Sequence, residues 1–395
     1  MIDYATLKKA LKGTEMPCAL LLVDSFQQNV KQIAANSKQK HIRVASKSIR
    51  SISVLKDIFQ SSSTFRGIMS YSGSEAIYLA DHGFDDLLIA YPIWNETILH
   101  NIAERVKSGK TLTVMIDSVA HIDRLEAIAK KAKSTFLVCI DIDLSSSYPG
   151  LHFGVHRSPI KTVEHAIAIV NRINDSRYLQ LDGVMGYEAQ IAGVTDNDPK
   201  QKMKNQAIRF LKKTSSKELT KKRHNVIAAI KSKGIPLRFV NGGGTGSLHQ
   251  TALDEHVTEV TVGSGFYNPH LFDYYQAFQL KPALVYAIEI TRIPARHIYT
   301  CSGGGYIASG AMGYDRLPKV FLPEGAHLTT HEGAGEVQTP IVYKGDIPLE
   351  HGDPIILRHS KAGELCEHFQ YLHLVKNGRI VRRYTTYRGD QQCFL

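Results

Sequence analysis

The feature that most constrains this chain is its rhythm between residues 42 and 263. Eight apolar runs of strand length, at 42–45, 67–70, 86–91, 112–117, 136–143, 179–187, 237–241 and 258–263, alternate with helical periodicity at 50–60, 73–82, 95–107, 119–132, 160–174, 200–233 and 248–255. Strands alternating with helices over this length predict a closed (β/α)8 barrel of the TIM type. Near Pro282 the texture changes. Gly and Pro become frequent, and short alternating strands are expected at 285–291, 297–300, 337–343, 354–358, 370–376 and 379–384. The chain is therefore divided into a barrel over 1–280 and a C-terminal β-rich domain over 281–395. Ahead of the barrel, residues 1–13 have the pattern of a short amphipathic helix. The apolar run 18–23 leads into Asp24 and Ser25, read as the cap of a helix reaching about Ser37.

In a parallel barrel the chemistry gathers at the C-terminal ends of the strands. The first strand runs straight into Ser46-Lys47-Ser48. A lysine held there can form a Schiff base with a carbonyl cofactor such as pyridoxal phosphate. After the seventh strand comes Asn241-Gly242-Gly243-Gly244-Thr245-Gly246-Ser247, and after the eighth Gly263-Ser264-Gly265. Successive glycines let backbone N–H groups close around a phosphate, with Thr245 or Ser247 adding a hydroxyl, at the two loops where barrels commonly hold one. The sixth strand ends in Tyr187-Glu188, and both side chains are expected at or near the same mouth. Asp117, ending the fourth strand, is read as a helix cap. Asp141 and Asp143 share one face of the fifth and can order a basic network or meet Lys or Arg.

The charge excess, 48 basic against 37 acidic residues, favours small anionic substrates. Ten of the basic residues fall between Lys200 and Arg223 with no interleaved aromatic ladder, the pattern of a solvated helix face and not of a nucleic-acid site. Five cysteines, an odd number scattered along the chain, argue against a disulfide framework and for a reducing compartment. No run is apolar for long enough to span a membrane, so a cytoplasmic protein is expected.

Five motifs in order carry a resemblance: Pro17-Cys18-Ala19-Leu20-Leu21-Leu22-Val23-Asp24; Arg43-Val44-Ala45-Ser46-Lys47-Ser48; Glu75-Ala76 with 86–92; Gly186-Tyr187-Glu188; and the loops at 242–246 and 263–265. With them the chain resembles the fold-type III pyridoxal phosphate (PLP) enzymes, which pair an alanine-racemase-like barrel with a C-terminal β domain. Within that group it is most similar to the D-threonine aldolase and D-serine dehydratase branch. The resemblance implies that Lys47 binds the cofactor covalently, that Gly243, Gly244, Thr245, Gly263 and Ser264 hold its phosphate, and that Tyr187 contacts its ring. It also implies a homodimer.

Two positions depart from the pattern. His152 stands where the family usually has an arginine, two residues before Gly154-Val155, and Arg157 lies just beyond. In the β domain the branch has a His-x-Cys metal pair, whereas this chain reads His359-Ser360-Lys361. Either Cys366 or His368 completes a site with His359 for a divalent ion (Mn, Mg or Zn), or Lys361 supplies a fixed positive charge instead.

The resemblance implies a small D-amino-acid substrate bearing a 3-hydroxyl. Aldol cleavage to glycine and an aldehyde needs a base near that hydroxyl, for which His359 with a metal, or Lys361, is the candidate. Dehydration to a 2-oxo acid and ammonia needs a Cα base, for which Lys47 is the candidate. Racemisation ranks third, because residues 297–306 match the racemase tyrosine motif poorly. A PLP-homeostasis protein without turnover is the non-enzyme alternative, disfavoured by the long extension after the barrel.

Overall fold

A computed structural model describes residues 2–361 and 363–395. After a first strand β1 (Cys18–Leu22), eight strands close a parallel barrel: β2 (His41–Ala45), β3 (Phe65–Ser70), β4 (Leu87–Ile89), β5 (Leu112–Ile116), β6 (Phe136–Asp141), β7 (Leu179–Gly186), β8 (Phe239–Gly242) and β9 (Glu259–Val262). β9 pairs with β2 and β7 pairs with β8, so the ring has no edge. These are the eight expected strands. β4 starts one residue later than its apolar run, where Asp86 takes a left-handed conformation (φ 53°), and ends two residues before it.

Alternation along β2 sends Ile42 and Val44 out to the helices and Arg43 and Ala45 into the barrel. Arg43 is fully buried, and its guanidinium meets Glu259 (Nε–Oε1 2.6 Å) and Asp86 (Nη2–Oδ1 3.0 Å). Asn241 Nδ2 donates to Glu259 Oε1 at 2.8 Å and to Thr261 Oγ1 at 2.9 Å, carrying this network up to the mouth. A buried charge of this kind persists only because it is paired and hydrogen-bonded.

The expected helices form. Two caps differ from expectation. The helix Val23–Ala35 starts directly after β1 with no side-chain cap, and Asp24 lies in its first turn, where a negative charge suits the helix dipole. Ser118, not Asp117, caps the helix Val119–Ala132, accepting from the His121 N–H, while Asp117 pairs with the His121 ring at 3.0 Å. On the long helix Lys202–Ser232 most basic residues face solvent, but Lys212 is buried against Asp196 and Arg223 against Glu188 and Asp254.

The β-rich layer contains β10 (Leu284–Ala295), β11 (Ile298–Ser302), β12 (Lys319–Leu322), β13 (His327–Leu328), β14 (Gln338–Val342), β15 (Pro354–Arg358), β16 (Tyr371–Lys376) and β17 (Arg379–Thr385). Its main path runs β13-β14-β11-β10-β1-β16-β17, with β15 on β10 and β12 on β15. The unforeseen member is β1: Leu20 sits opposite Val285 in antiparallel pairing and beside His373 in parallel pairing. The sheet thus takes a central strand from ahead of the barrel. Among the described residues no helix is long and apolar enough to cross a membrane.

Candidate active site

β2 delivers the chain into a single 3-10 turn, Ser46–Ser48, and Lys47 projects from it into a cavity at the C-terminal mouth of the barrel. The turn is fixed from both sides. Ser46 Oγ donates to the Met69 carbonyl at 3.1 Å, and Arg50 Nε donates to the Lys47 carbonyl at 2.9 Å. From the β-rich layer, Glu367 pairs with Arg50, and the Tyr387 N–H donates to the Arg50 carbonyl at 2.9 Å. Gly363 (φ 83°) presses so closely that a Cβ there would stand 1.9 Å from the Lys47 carbonyl oxygen.

Beside this turn lies Glu75, fully buried, accepting from the Tyr71 N–H (2.8 Å) and the Tyr387 hydroxyl (2.8 Å). Burial pushes its carboxyl up to about 7 from an ordinary 4.5, against the lowering effect of those hydrogen bonds. Between about pH 4.5 and 7 the unfolded chain releases this proton while the folded chain keeps it. Stability therefore falls as pH rises through that window and levels off above it. Glu75→Gln should lack this slope. Urea unfolding at pH 5 and pH 7.5 should show the difference between wild type and variant changing by on the order of 3 kcal/mol, to the wild type's disadvantage at the higher pH.

Gly243, Gly244, Thr245, Gly263, Ser264 and Tyr187 all line the same cavity as Lys47. The glycine loop does not offer its N–H groups as freely as its sequence suggests. Gly243 (φ 83°) donates to Glu188, and Gly244 donates to Ser247 Oγ at 3.1 Å. Glu188 is accordingly turned away from the mouth, beneath the loop, where it also meets the buried Arg223. Hydroxyls remain for an anion. Thr245 Oγ1 accepts from the Gly265 N–H at 3.0 Å and keeps its own proton, and the Ser48 and Ser264 hydroxyls stand 3.4 Å apart.

Tyr187 packs on the loop, its ring 3.3 Å from where a Gly244 Cβ would sit. Burial holds its phenol above the usual range, opposed by the nearby Arg157. That guanidinium lies 5.2 Å from the Tyr187 ring centre and 5.6 Å from that of Tyr91. Behind it, burial pushes Asp141 up to about 7 despite Arg157. Asp143 Oδ1 accepts from the Ser145 N–H at 2.8 Å. His152 does not line the cavity. Its ring stacks on His156 at 4.1 Å, and among the described residues the guanidinium lining the cavity is that of Arg157, five residues further on.

The β-layer candidates lie outside this cavity. His359 is buried with both ring nitrogens unpartnered, and burial, then the Arg358 and His270 charges, push it down to about 3, leaving a neutral imidazole. Lys361 reaches Ser309 Oγ at 3.2 Å and Glu364 at 3.7 Å on the surface of the β layer. The Cys366 thiol donates to the Ile49 carbonyl at 3.6 Å, and burial pushes it up to about 12. A cysteine that ligates a metal does so as its thiolate. No group of three or more His, Cys, Asp or Glu side chains among the described residues is disposed to hold a metal ion. The Cys366 thiol thus turns to Ile49 and the His368 ring stacks on Tyr306 at 4.5 Å, and no step below depends on a divalent ion. The cavity does fit PLP: a lysine on a strand end, a ring-sized wall of Tyr187 and Met185, and hydroxyls for a phosphate.

Met69, Tyr71, Thr261 and Phe272 also line the cavity and were given no role from sequence, and Asn241 and Tyr91, quoted there only as parts of motifs, line it too. All but Phe272 lie in or just beyond the barrel strands, the position that drew attention to Lys47.

Residues 22–270 match the family described as alanine racemase, N-terminal domain. A 3-hydroxy-D-aspartate aldolase of Paracoccus denitrificans (strain Pd 1222) is 24% identical over 252 residues, a match spanning 63% of this chain and 59% of the relative. The fold is shared with a D-threonine aldolase from Filomicrobium marinum (TM-score 0.81, 19% identity, 96% of each chain). It is also shared with a D-threo-3-hydroxyaspartate dehydratase from Delftia sp. HT23 (TM-score 0.78, 18% identity, 95% of this chain and 98% of that one).

Proposed function

The chain belongs to the alanine racemase N-terminal domain family, within the fold-type III PLP enzymes, and from that premise we propose that it is a lyase of D-3-hydroxy amino acids. The leading reaction is aldol cleavage to glycine and an aldehyde, supported by the likeness to a 3-hydroxy-D-aspartate aldolase. The observation that carries the reading is Lys47 on a strand end, in one cavity with both small-residue loops and Tyr187.

PLP, when bound, supplies the electron sink that lets a bond at Cα break. Lys47 would hold it covalently, and its amine, inside the cavity, is the group that would move a proton at the substrate's Cα. Thr245, Ser48 and Ser264 would take the phosphate through their hydroxyls, and Tyr187 would confine the ring. Arg50 and Gly363 fix the carbonyl of Lys47, so the side chain's root does not drift.

Dehydration to a 2-oxo acid and ammonia is the second reading. It is favoured by Lys47 being, among the described residues, the one lysine lining the cavity, the base that loss of the Cα proton needs, while His359 and Lys361 lie off the cavity. Incubating the PLP-loaded protein with D-threonine and 3-hydroxy-D-aspartate and identifying products tests both. Glycine with an aldehyde supports cleavage, 2-oxo acid with ammonia supports dehydration, and no product from either sinks the lyase reading. We further propose a cytoplasmic homodimer, supported by five free cysteines and by the exposed Ile307, Met312 and Tyr314 on the β layer. A monomer in sedimentation would remove the dimer.

A further inference from the structure

Glu75 is buried on other terms than the carboxylates that build the fold. Glu188, Glu259, Asp196 and Asp254 are buried, and each meets a Lys or Arg side chain within 4 Å. Glu75, in the first turn of the helix Gly73–Asp81, is held by three uncharged donors. The Tyr71 N–H and the Tyr387 hydroxyl each donate to one of its oxygens at 2.8 Å, and the Ser46 hydroxyl reaches it too. The cation acting on it is Arg50, which lies over the Tyr71 ring at 5.2 Å and is itself paired with Glu367. Ser46 and Arg50 bracket Lys47: the first precedes it in the chain, and the second donates to its carbonyl. Glu75 thus acts on both sides of the lysine from outside the cavity lining.

One proton decides how the turn is bonded. Ser46 has a single hydroxyl proton and two acceptors within reach, Glu75 and the Met69 carbonyl at 3.1 Å on the cavity wall. An ionised carboxylate is the stronger acceptor and takes all three donors. A protonated one has an O–H to place, and of its three partners only the hydroxyl oxygens of Ser46 and Tyr387 can accept it. When Ser46 accepts, its own proton goes to Met69, and the bond just ahead of Lys47 reverses. Around Glu75 and its partners, burial holds the Tyr71, Tyr78 and Tyr387 phenols above their ordinary range, Arg50 stays charged, and Glu367 and Cys393 act on Tyr71. We propose that Glu75 is a positioning residue for Lys47: ionised, it sets the root of the lysine through Ser46 and Arg50, and through Tyr387 it makes that setting depend on the C-terminal layer. This rests on the lyase reading and names what regulates its lysine.

The test is Glu75→Gln in the PLP-loaded full chain, since the amide keeps the shape and cannot ionise. The ionised fraction of a carboxyl at about 7 rises roughly tenfold between pH 6 and 8. Wild-type kcat, on whichever of D-threonine and 3-hydroxy-D-aspartate is turned over, should rise by about that factor. Glu75→Gln should lack the rise and stay at the low level, with KM changed less than about twofold, because the lysine is displaced and not the substrate. Tyr387→Phe removes one donor to the carboxylate and should move the rise to higher pH. A rise that survives in Glu75→Gln, that vanishes instead in Asp141→Asn (the other carboxyl pushed up to about 7), or that stays in place in Tyr387→Phe overturns the proposal. Visible circular dichroism of the bound cofactor without substrate, which reports how Lys47 holds it, decides even if wild type turns over neither substrate, a result that would sink the lyase reading alone. A signal that titrates near pH 7 in wild type and not in Glu75→Gln supports the assignment; one that titrates in both, or in neither, overturns it.

Discussion

Replacing Lys47 with alanine should abolish covalent cofactor retention and lower kcat/KM by at least about a thousandfold, the scale on which loss of an essential covalent or basic group acts. Three features single out this lysine from the many others. It leaves a barrel strand at the C-terminal end, it faces the cavity that both small-residue loops enter, and its own carbonyl is held by Arg50. Borohydride reduction followed by peptide mapping should label Lys47 in wild type and nothing in the variant. The informative comparison is Lys361→Ala. Lys361 is half exposed on the β layer and bonded to Ser309, so its loss should change turnover less than about twofold, the ordinary outcome for a solvated side chain. If Lys361→Ala costs as much as Lys47→Ala, the site has been drawn around the wrong lysine.

The second large effect is expected at Gly363, outside the cavity. Alanine there adopts a left-handed backbone at φ 83° and sets its Cβ 1.9 Å from the Lys47 carbonyl oxygen. Backbone cannot swing aside as a side chain can, so the Lys47 turn or the β-layer loop must move. The strain and the clash together should cost about 3 kcal/mol or more. Gly83→Ala is the control. Its φ is 90° but nothing lies within 4 Å of the added Cβ, so only the backbone penalty of about 1 kcal/mol remains. Thermal unfolding of the two variants, with cofactor occupancy measured alongside, checks this. Equal losses of stability would mean that the contact with Lys47 carries no weight.

The barrel was readable because seven of its eight strands are apolar runs followed by helical periodicity, a pattern that lies in neighbouring segments of the chain. Lys47 and the two loops were readable for the same reason: their meaning depends on position after a strand. What depended on distant partners was hidden. Glu188 follows Tyr187 directly, yet one side chain lines the mouth and the other turns under the glycine loop to Arg223, a residue on another element. Nothing local announces that Arg43 would be buried, since its partners Asp86 and Glu259 arrive from strands elsewhere in the ring. The sequence singled out His152 and Arg157 together. Only the folded loop separates them, sending one to stack on His156 and the other into the cavity.

The place of β1 has a bearing on how this chain can be made and cut. Leu20 needs Val285 on one side and His373 on the other, so this strand waits for one partner 265 residues further along the chain and for the other 353 residues further. Closing such a span costs entropy before any pairing rewards it, and late, long-range pairing of this sort is slow and exposes an unpaired apolar edge meanwhile. The barrel strands carry no such delay, because each finds a neighbour among adjacent segments. A fragment ending near residue 281 would keep β1 with both neighbours gone, five buried residues bared to solvent. A fragment beginning there would have a gap at the centre of its sheet. Shortened versions should therefore be cut on both sides of β1, removing residues 1–22 together with the C-terminal layer, or supplied as two pieces that complement each other.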